Sequence, residues 1–403
     1  MKIILISSHN FSAFGGYEKV LLLVFKGLKE KYNCDISIVS LPLIKCLVKK
    51  PLLEDFKKFK IQRSYIYDNK LSYLFSILVK KLFNKSLLIG YDPVNNYLNE
   101  LIKSDIIIIT NPFLITTVKN ILKENKINKE VLYWDHGDLF SLVRRLETNS
   151  SEKSIFEFLK IKLRKLVYSK EFFESVKSAD AHLAIATEIK DFIKDINTEA
   201  NINLVYNPLP LYNGKLIQRP LSHHIFLYVG RIDDNQKNIT FMLNGLSKLK
   251  NKEWSLKIIG TGKDENNLKN LANKLKISDR IEWLGFKEDP YTVIEHATAL
   301  LLTSRWEGFG LVLVEANQRG IPVISSDCKS GPKDIVIPGR NGYLYKEGDI
   351  NDFIRVISGV MNGKLQFDTQ ENIAKTAERF RDDIVIQNIF HFMKSCITEI
   401  GPI

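Results

Sequence analysis

Short apolar segments rich in β-branched residues recur along the first half of the chain. They occupy residues 2–7, 34–40, 105–110, 130–135, 181–186 and 202–207. Segments that are apolar throughout, without in–out alternation, predict strands covered on both faces, as in a parallel sheet flanked by helices. Residues 17–31 and 154–177 carry helical spacing between these runs. The first half therefore predicts a doubly wound α/β domain.

A cluster of proline, asparagine and glycine at residues 207–220 indicates a linker. A second strand series follows it, at residues 224–230, 255–260, 281–285, 299–304 and 321–326. The pattern predicts an α/β protein with two tandem Rossmann-like domains, residues 1–210 and 211–370, and a helical segment, residues 371–403, that packs back on the first. Ligands of such sheets bind beyond the carboxyl ends of the strands, so two facing domains would form one cleft.

The composition is that of a water-soluble globular protein. Hydrophobic residues make up 45% of the 403 residues and charged residues 26%, which excludes disordered, collagen-like and coiled-coil chains. No apolar run reaches the ~18 residues that a membrane-spanning helix needs. The N-terminus is typical of a first strand rather than a signal peptide. Four scattered cysteines without a CxxC pair argue against disulfides and zinc, and predict a reducing cytoplasm.

The net charge of +12 is concentrated in the first half, where residues 1–210 hold 32 basic and 23 acidic residues. This excess indicates an anionic partner or a solvated lysine-rich face. Residues 71–88 interleave apolar residues with Lys80, Lys81 and Lys85. We expect this stretch either to contact an anionic membrane peripherally or to form an ordinary amphipathic helix. A nucleic-acid partner is not expected, because no RRM, KH or helix-turn-helix signature occurs.

Two polar features follow strands of the first half. Gly15 and Gly16 precede a predicted helix, where paired glycines let the backbone approach a ligand closely or simply form a tight turn. His136 follows the run at residues 130–135 and offers a ring nitrogen to a sugar hydroxyl or a phosphate, or caps the next helix. Neither a dinucleotide fingerprint nor a P-loop is present.

Two cations follow the first strand of the second half. Arg231 supplies a planar fork of donors and Lys237 a point charge, both before a predicted helix at residues 239–249. A helix N-terminus favours anions, so this arrangement predicts a diphosphate clamp. The alternative is a salt bridge from either cation to Asp233 or Asp234.

The loops after the later strands add further candidates. Gly262 and Phe286 follow two strands and are expected to bracket a nucleotide base, or to serve as turn and core residues. The most informative stretch is SRWEGFGLVLVEA, from Ser304, with Glu307 in a loop and Glu315 about two turns down a helix that we expect to begin near Phe309. These carboxylates are suited to accept sugar and ribose hydroxyls. The backbone amides of Phe309, Gly310 and Leu311, after Gly308, are candidate donors.

The order of these motifs resembles that of GT-B glycosyltransferases of family 4, which are retaining enzymes. The resemblance is strongest from Val229 to Tyr345 and rests on GR-x5-KN, SRWEGFGLVLVEA, SGPKDIV and GRNGYLY. It implies a nucleotide-sugar in the second domain and an acceptor in the first. A departure is Asp334, where the family often has glutamate. The Ser330-Gly331-Pro332 loop resembles the branch that builds lipopolysaccharide, capsule and lipid-linked glycans from UDP-hexoses or UDP-N-acetylhexosamines.

The resemblance also implies residue roles. Arg231 and Lys237 would hold the diphosphate, Glu307 would face the sugar with the Phe309 and Gly310 amides, and Glu315 would bind the ribose. Gly16 would touch the phosphate or sugar, and His136 would approach the sugar. We expect a metal-independent cytoplasmic enzyme without a cofactor, at most peripheral on the inner membrane face, since no D-x-D pair occurs. The alternatives are a protein acceptor, a non-catalytic binding subunit, and an epimerase or phosphorylase.

Overall fold

The computed structural model describes residues 1–7, 15–41, 60–63, 94, 96–136, 172–220, 222–251 and 253–398. The chain divides into two compact units. Unit 1 comprises Met1–Pro208 and Asp382–Ile403, and unit 2 comprises Leu209–Arg381. The basic stretch at residues 71–88 and most of the helical segment expected at residues 154–177 lie outside the described residues.

Unit 1 is built on a parallel sheet. Its described strands are β1 (Lys2–Ser7), β2 (Asp35–Ser40), β3 (Lys60–Arg63), β4 (Ile106–Ile109), β5 (Glu130–Asp135), β6 (Ala181–Ala184) and β7 (Asn201–Leu204). They pair in the order β3-β2-β1-β4-β5-β6-β7, with every pair parallel. All four isoleucines of β4 are fully buried, which explains why this run does not alternate. The strand order reverses between β1 and β4.

Helices follow most of these strands. Those described in unit 1 before its boundary are α1 (Gly16–Tyr32), α2 (Leu98–Lys103), α3 (Ile115–Glu124) and α4 (Thr187–Ile196), and residues 172–178 are also helical. Helix α1 presents an apolar stripe, including Val24 and Leu28, to the sheet. It ends at Asn33, whose left-handed backbone lets its amide donate to the Leu28 carbonyl.

Unit 2 repeats the same architecture. Its strands are β8 (His224–Val229), β9 (Trp254–Ile259), β10 (Ile281–Gly285), β11 (Ala299–Leu302), β12 (Val323–Ser326) and β13 (Gly342–Tyr345). They pair in the order β10-β9-β8-β11-β12-β13, again all parallel. The helices are α5 (Asp234–Lys237), α6 (Ile239–Ser247), α7 (Glu265–Lys274), α8 (Leu311–Gln318), α9 (Pro332–Ile335), α10 (Ile350–Met361) and α11 (Gln370–Thr376). Trp254, Tyr345 and Phe353 are fully buried in its core. The strand order reverses between β8 and β11.

The chain then returns to unit 1 through helix α12 (Asp382–Thr398). Helix α12 packs on α1, where a Cβ added at Gly27 would lie 2.5 Å from Ile386 Cδ1. The Tyr32 ring stacks on Phe390 at 3.9 Å between centroids. Residues up to Arg381 belong to unit 2, beyond the boundary expected at residue 370. Helix α11 packs on α8 and therefore stays with unit 2.

Candidate active site

The loops after β8 and β11 meet because these strands are neighbours where the sheet order reverses. Lys237 ends helix α5, and Glu307 lies in the loop after β11. The Lys237 ammonium contacts Glu307 Oε1 at 2.7 Å. The side chains are only 15% and 8% exposed, so the pair is shielded from water. A shielded pair of opposite charges at such a place is typical of an active site.

Neighbouring hydroxyl groups hold both partners of this pair. Ser304 Oγ donates to the same Glu307 Oε1 that the lysine contacts. Thr303 Oγ1 donates to the carbonyl of Lys237 at 2.9 Å. Ser326 Oγ, from β12, donates to the Ser304 carbonyl at 2.7 Å. The hydrogen bonds from Lys237 and Ser304 to Glu307 both fall on Oε1.

Arg231 is more exposed than Lys237. Its Nη2 donates to Gln236 Oε1 at 3.0 Å and lies 3.6 Å from Asp233 Oδ2. The Arg231 side chain is 66% exposed. The salt bridge considered as the alternative is therefore present for Arg231, and pairs of this exposure contribute little. Lys263 also contacts Asp233, at 3.4 Å. For Lys237 the alternative is wrong, because its ammonium contacts Glu307 and neither aspartate.

Sequence reasoning missed Tyr228, which lies on β8 beneath the cations. Its hydroxyl donates to the Arg231 carbonyl at 2.7 Å. Burial raises the Tyr228 pKa, and the nearby Glu307 charge raises it further. The phenol therefore stays neutral and keeps donating. A tyrosine near the end of a predicted strand is the signal that could have identified it.

The two loops are also tied to each other directly. The Arg305 amide donates to the Gln236 carbonyl at 2.9 Å, and Gln236 Nε2 donates to the Trp306 carbonyl at 3.2 Å. Arg305 Nη1 donates to the Asp234 carbonyl at 2.6 Å. These bonds fix helix α5, and hence Lys237, relative to the loop that carries Glu307.

Glycines let the loops after β8 and β9 approach each other. A Cβ at Gly262 would lie 2.0 Å from the Ile232 carbonyl oxygen, and one at Gly260 would lie 1.9 Å from the Gly230 oxygen. Any side chain there would separate the loops. The structure thus gives Gly262 a packing role, and its donor-binding role stays a prediction. Phe286, after β10, is 73% exposed, which suits a surface for a planar base.

The Glu307–Leu311 loop leads into helix α8. The helix begins at Leu311 rather than near Phe309, because Gly310 adopts φ +93° as its N-cap. The Gly310 and Leu311 amides thus lie at a helix start, where no preceding turn supplies acceptors. The Phe309 ring is 2% exposed and packs on Phe380, so only its backbone is available to a ligand. Ser330 Oγ donates to the Gly308 carbonyl at 2.6 Å.

Glu315 is half-buried and is the fifth residue of α8, so it lies little more than one turn into the helix rather than the expected two. Burial of Tyr291 raises the pKa of its phenol, and the nearby Glu315 charge raises that pKa further. The Glu315 carbonyl accepts from Arg319 Nη1 at 3.0 Å. The guanidinium of Arg319 lies between two rings, 4.4 Å from Tyr212 and 4.2 Å from Tyr291. This packing fixes the lower part of α8.

Unit 1 holds the remaining predicted residues at the carboxyl edge of its own sheet. Gly15 is the N-cap of α1, and its amide donates to Glu18 Oε2 at 3.1 Å. Gly16 is the exposed first residue of that helix. His136 follows β5, and its imidazole contacts the Tyr17 and Trp134 rings at centroid distances of 4.7 and 4.6 Å. Tyr17 thus links the glycines to His136.

The described residues hold neither a metal-binding cluster nor a membrane-spanning helix. Within the described ranges, no three His, Cys, Asp or Glu side chains gather as a metal site requires. None of the helices in that part of the chain combines the length and apolarity needed to cross a bilayer.

A sequence profile of one protein family matches the unit that carries these loops. Residues 217–380 match the family described as glycosyl transferases group 1. The match covers Arg231, Lys237, Glu307 and Glu315. Residues 217–380 of this chain therefore form a domain similar to the glycosyl transferases group 1 family. The residues that the sequence pattern predicted for donor binding, apart from Gly15 and Gly16, all lie in this domain.

Relatives of the glycosyl transferases group 1 domain include enzymes of surface polysaccharides. Over 227 residues the chain is 39% identical to the lipopolysaccharide 1,6-galactosyltransferase of Salmonella typhimurium, strain LT2. This alignment covers 54% of the chain and 62% of that enzyme. The chain therefore spans about three fifths of the length of this curated relative.

Solved structures align with nearly the whole chain, including both units. The lipopolysaccharide outer core galactosyltransferase WaaB, apo form, aligns with a TM-score of 0.78 and 28% identity over 98% of this chain and 100% of that one. Anabaena Alr3699/HepE in complex with UDP aligns with a TM-score of 0.66 over 98% and 100%, and its 15% identity shows the fold alone. The predicted GT-B fold class is confirmed.

Proposed function

We propose that this protein is a retaining glycosyltransferase that moves a hexose from a UDP-sugar to a hydroxyl group of lipopolysaccharide or another lipid-linked glycan. The names of the two galactosyltransferases support galactose as the sugar and lipopolysaccharide as the acceptor. The UDP-bound neighbour supports a uridine donor. An N-acetylhexosamine is the second candidate sugar. The observation that carries the proposal is the shielded Lys237–Glu307 pair beside Arg231.

The diphosphate of the donor needs positive charge. Breaking the bond to the anomeric carbon leaves negative charge on the leaving oxygen. The Arg231 side chain is 66% exposed and can turn its fork to phosphate oxygens. Lys237 and the start of α6 add positive potential that requires no reorganisation. By analogy with single oxyanion donors, each such group is worth ~3–4 kcal/mol in the transition state. These groups support catalysis without a metal ion.

The sugar and ribose need acceptors for their hydroxyls. Glu307 is oriented through the contacts of Oε1 with Lys237 and Ser304, so Oε2 can accept from a sugar hydroxyl. The Phe309 and Gly310 amides donate to the sugar, and Glu315 accepts from the ribose. For retention we favour substitution on one face of the sugar, with the leaving phosphate taking the proton of the acceptor hydroxyl. Glu307 then binds the sugar and does not form a covalent intermediate.

The acceptor belongs to unit 1 in this proposal. Gly16 and His136 lie at the ligand-binding edge of its sheet, and a lipid-linked acceptor is consistent with a protein at the inner face of the membrane. Residues 71–88 carry the proposed membrane contact. The shielded Lys237–Glu307 pair, together with Arg231 and Glu315, argues against a binding subunit without turnover.

The experiment mixes the purified protein with UDP-galactose, UDP-glucose, UDP-N-acetylglucosamine or GDP-mannose, and with lipopolysaccharide cores of different lengths. We expect UDP release that depends on both one uridine donor and one acceptor, and a product with the anomeric configuration of the donor by NMR. Absence of transfer together with absence of thermal stabilisation by every sugar nucleotide would overturn the proposal. An inverted product would overturn retention alone.

A further inference from the structure

Three hydroxyl groups form a closed ring at the carboxyl edge of the unit 1 sheet. Ser7 ends β1, Thr110 follows β4, and Tyr17 is the second residue of α1. The Tyr17 hydroxyl donates to Thr110 Oγ1 at 2.9 Å, Thr110 Oγ1 donates to Ser7 Oγ at 3.0 Å, and Ser7 lies 2.9 Å from the Tyr17 hydroxyl. Because each hydroxyl can donate once and accept, the three close a cycle. We call Ser7, Tyr17 and Thr110 the hydroxyl ring.

The hydroxyl ring fixes one end of the Tyr17 side chain to the sheet. Ser7 is fully buried and Thr110 is 4% exposed. They belong to neighbouring strands, at the point where the strand order reverses. Removing one hydroxyl takes one hydrogen bond from each of the other two, which is costly in such buried surroundings. The phenol oxygen therefore has one defined position.

The other side of Tyr17 faces His136. The phenol and imidazole rings meet edge to face, with centroids 4.7 Å apart and an interplanar angle of 87°. The Trp134 ring contacts the same imidazole at 4.6 Å and 42°. Edge-to-face contacts of this kind have a preferred geometry and stabilise one ring orientation. The orientation of His136 thus depends on a ring whose far end is bonded to β1 and β4.

We propose that Tyr17 is a positioning residue for His136, and that the hydroxyl ring holds Tyr17 for this purpose. The kinetic part rests on the proposed function, in which His136 meets the substrate. If the hydroxyl ring had only a structural role, it would join β1 to β4, and removing the tyrosine hydroxyl would not change the imidazole. The two roles differ in what happens to His136 when that hydroxyl is removed.

NMR of the full-length protein labelled at histidine tests the positioning without any substrate. The His136 signals are assigned by their loss in His136→Gln. Tyr17→Phe keeps the aromatic ring and removes its bond to the sheet. We expect the His136 ring signals to shift and broaden while those of the other histidines stay in place. The control is Tyr32→Phe, at the opposite end of α1 and stacked on Phe390, which should leave His136 unchanged. Unchanged His136 signals in a folded Tyr17→Phe protein would overturn the proposal.

Kinetics test the functional consequence at a second residue. Thr110→Val removes the hydroxyl at similar volume, and Thr110→Ser retains it. We expect Thr110→Val and Tyr17→Phe each to lower kcat about tenfold to hundredfold with the donor KM unchanged. The double variant should lose no more than either single one, and Thr110→Ser should retain activity. A lower Tm with unchanged kcat in Thr110→Val would show a structural role only. If the wild type transfers nothing, the proposed function fails, whereas the NMR result still decides the positioning.

Discussion

Lys237 and Glu307 are 70 residues apart in the chain, yet their charged groups meet at 2.7 Å in a site with little exposure to water. Burying two charges is costly unless they are paired and hydrogen-bonded. The structure meets this requirement through Ser304, which donates to the same carboxylate oxygen. The Lys237–Glu307 pair is therefore better explained by a role in ligand binding than by a contribution to the stability of the folded protein.

Glu307→Gln should remove the charge that faces the sugar while keeping the shape of the side chain. We expect kcat to fall about hundredfold, as for the loss of one preorganised polar contact in a transition state, with a smaller change in donor KM. Steady-state UDP release measures both constants. Glu282→Gln is the matched control, because Glu282 lies exposed on β10 and pairs with Lys257. Equal kcat in Glu307→Gln and the wild type would remove Glu307 from the site.

Arg231→Ala should weaken donor binding and slow turnover, since the guanidinium acts on the diphosphate in both the ground and transition states. We expect kcat/KM for the donor to fall about hundredfold and the Tm to stay unchanged, because the side chain is 66% exposed. Arg355→Ala is the control. Arg355 is 64% exposed and pairs with an aspartate three residues away, but lies on α10. A wild-type kcat/KM for Arg231→Ala would show that Arg231 does not hold the diphosphate.

His182 should make the stability of the protein depend on pH. Burial on β6 lowers the pKa of its imidazole to about 4, against a smaller opposing effect of the Asp180 charge. The unfolded chain, with an ordinary histidine pKa of about 6.5, binds the proton first as the pH falls. The free energy of unfolding should therefore drop by about 2 kcal/mol between pH 7.5 and 5 from this group. Urea unfolding at both values should show a smaller drop in His182→Phe. Equal drops would contradict the assignment.

Asn341 should be a main determinant of the stability of unit 2. The two hydrogens of its amide nitrogen are shared among three acceptors, Asn317 Oδ1, the Ile335 carbonyl and Thr376 Oγ1, at 3.0, 2.9 and 2.9 Å. Its oxygen accepts from the Ile337 amide. Asn341→Ala leaves several buried groups unpaired, so we expect a loss of about 3 kcal/mol in urea unfolding. The exposed Asn362→Ala should lose much less, and a similar loss in both would contradict this account.

The apolar runs predicted most strands because a parallel strand that is covered on both faces consists mainly of apolar residues. The isoleucines of β4 are the clearest case. Strand β3 (Lys60–Arg63) was missed, since its sequence KIQR has one aliphatic residue; among the described strands it lies at the edge of the sheet, beside β2. The start of α8 was placed two residues early, because Gly310 adopts a backbone conformation that spacing alone does not reveal.

The candidate side chains could be predicted, but most of their contacts could not. Arg231, Lys237 and Glu307 follow predicted strands, where ligands bind. That Lys237 pairs with Glu307 depends on β8 and β11 being neighbours, which a single sequence does not specify. The same holds for Ser7, Tyr17 and Thr110, which meet only because β1 lies beside β4. Hydroxyl residues at the carboxyl ends of apolar runs, such as Ser7 and Thr110 or Thr303 and Ser304, are the signal that could have indicated these contacts.

Calorimetric titration of UDP and of UDP-galactose into the wild type and Lys237→Met measures whether Lys237 belongs to a diphosphate site. The control is Lys333→Met, whose lysine is 54% exposed and contacts Asp327. We expect Lys237→Met to raise the Kd of both ligands at least about tenfold, equivalent to about 1.4 kcal/mol, and Lys333→Met to leave it unchanged. A folded Lys237→Met protein that binds UDP as tightly as the wild type would contradict a diphosphate site at the Lys237–Glu307 pair.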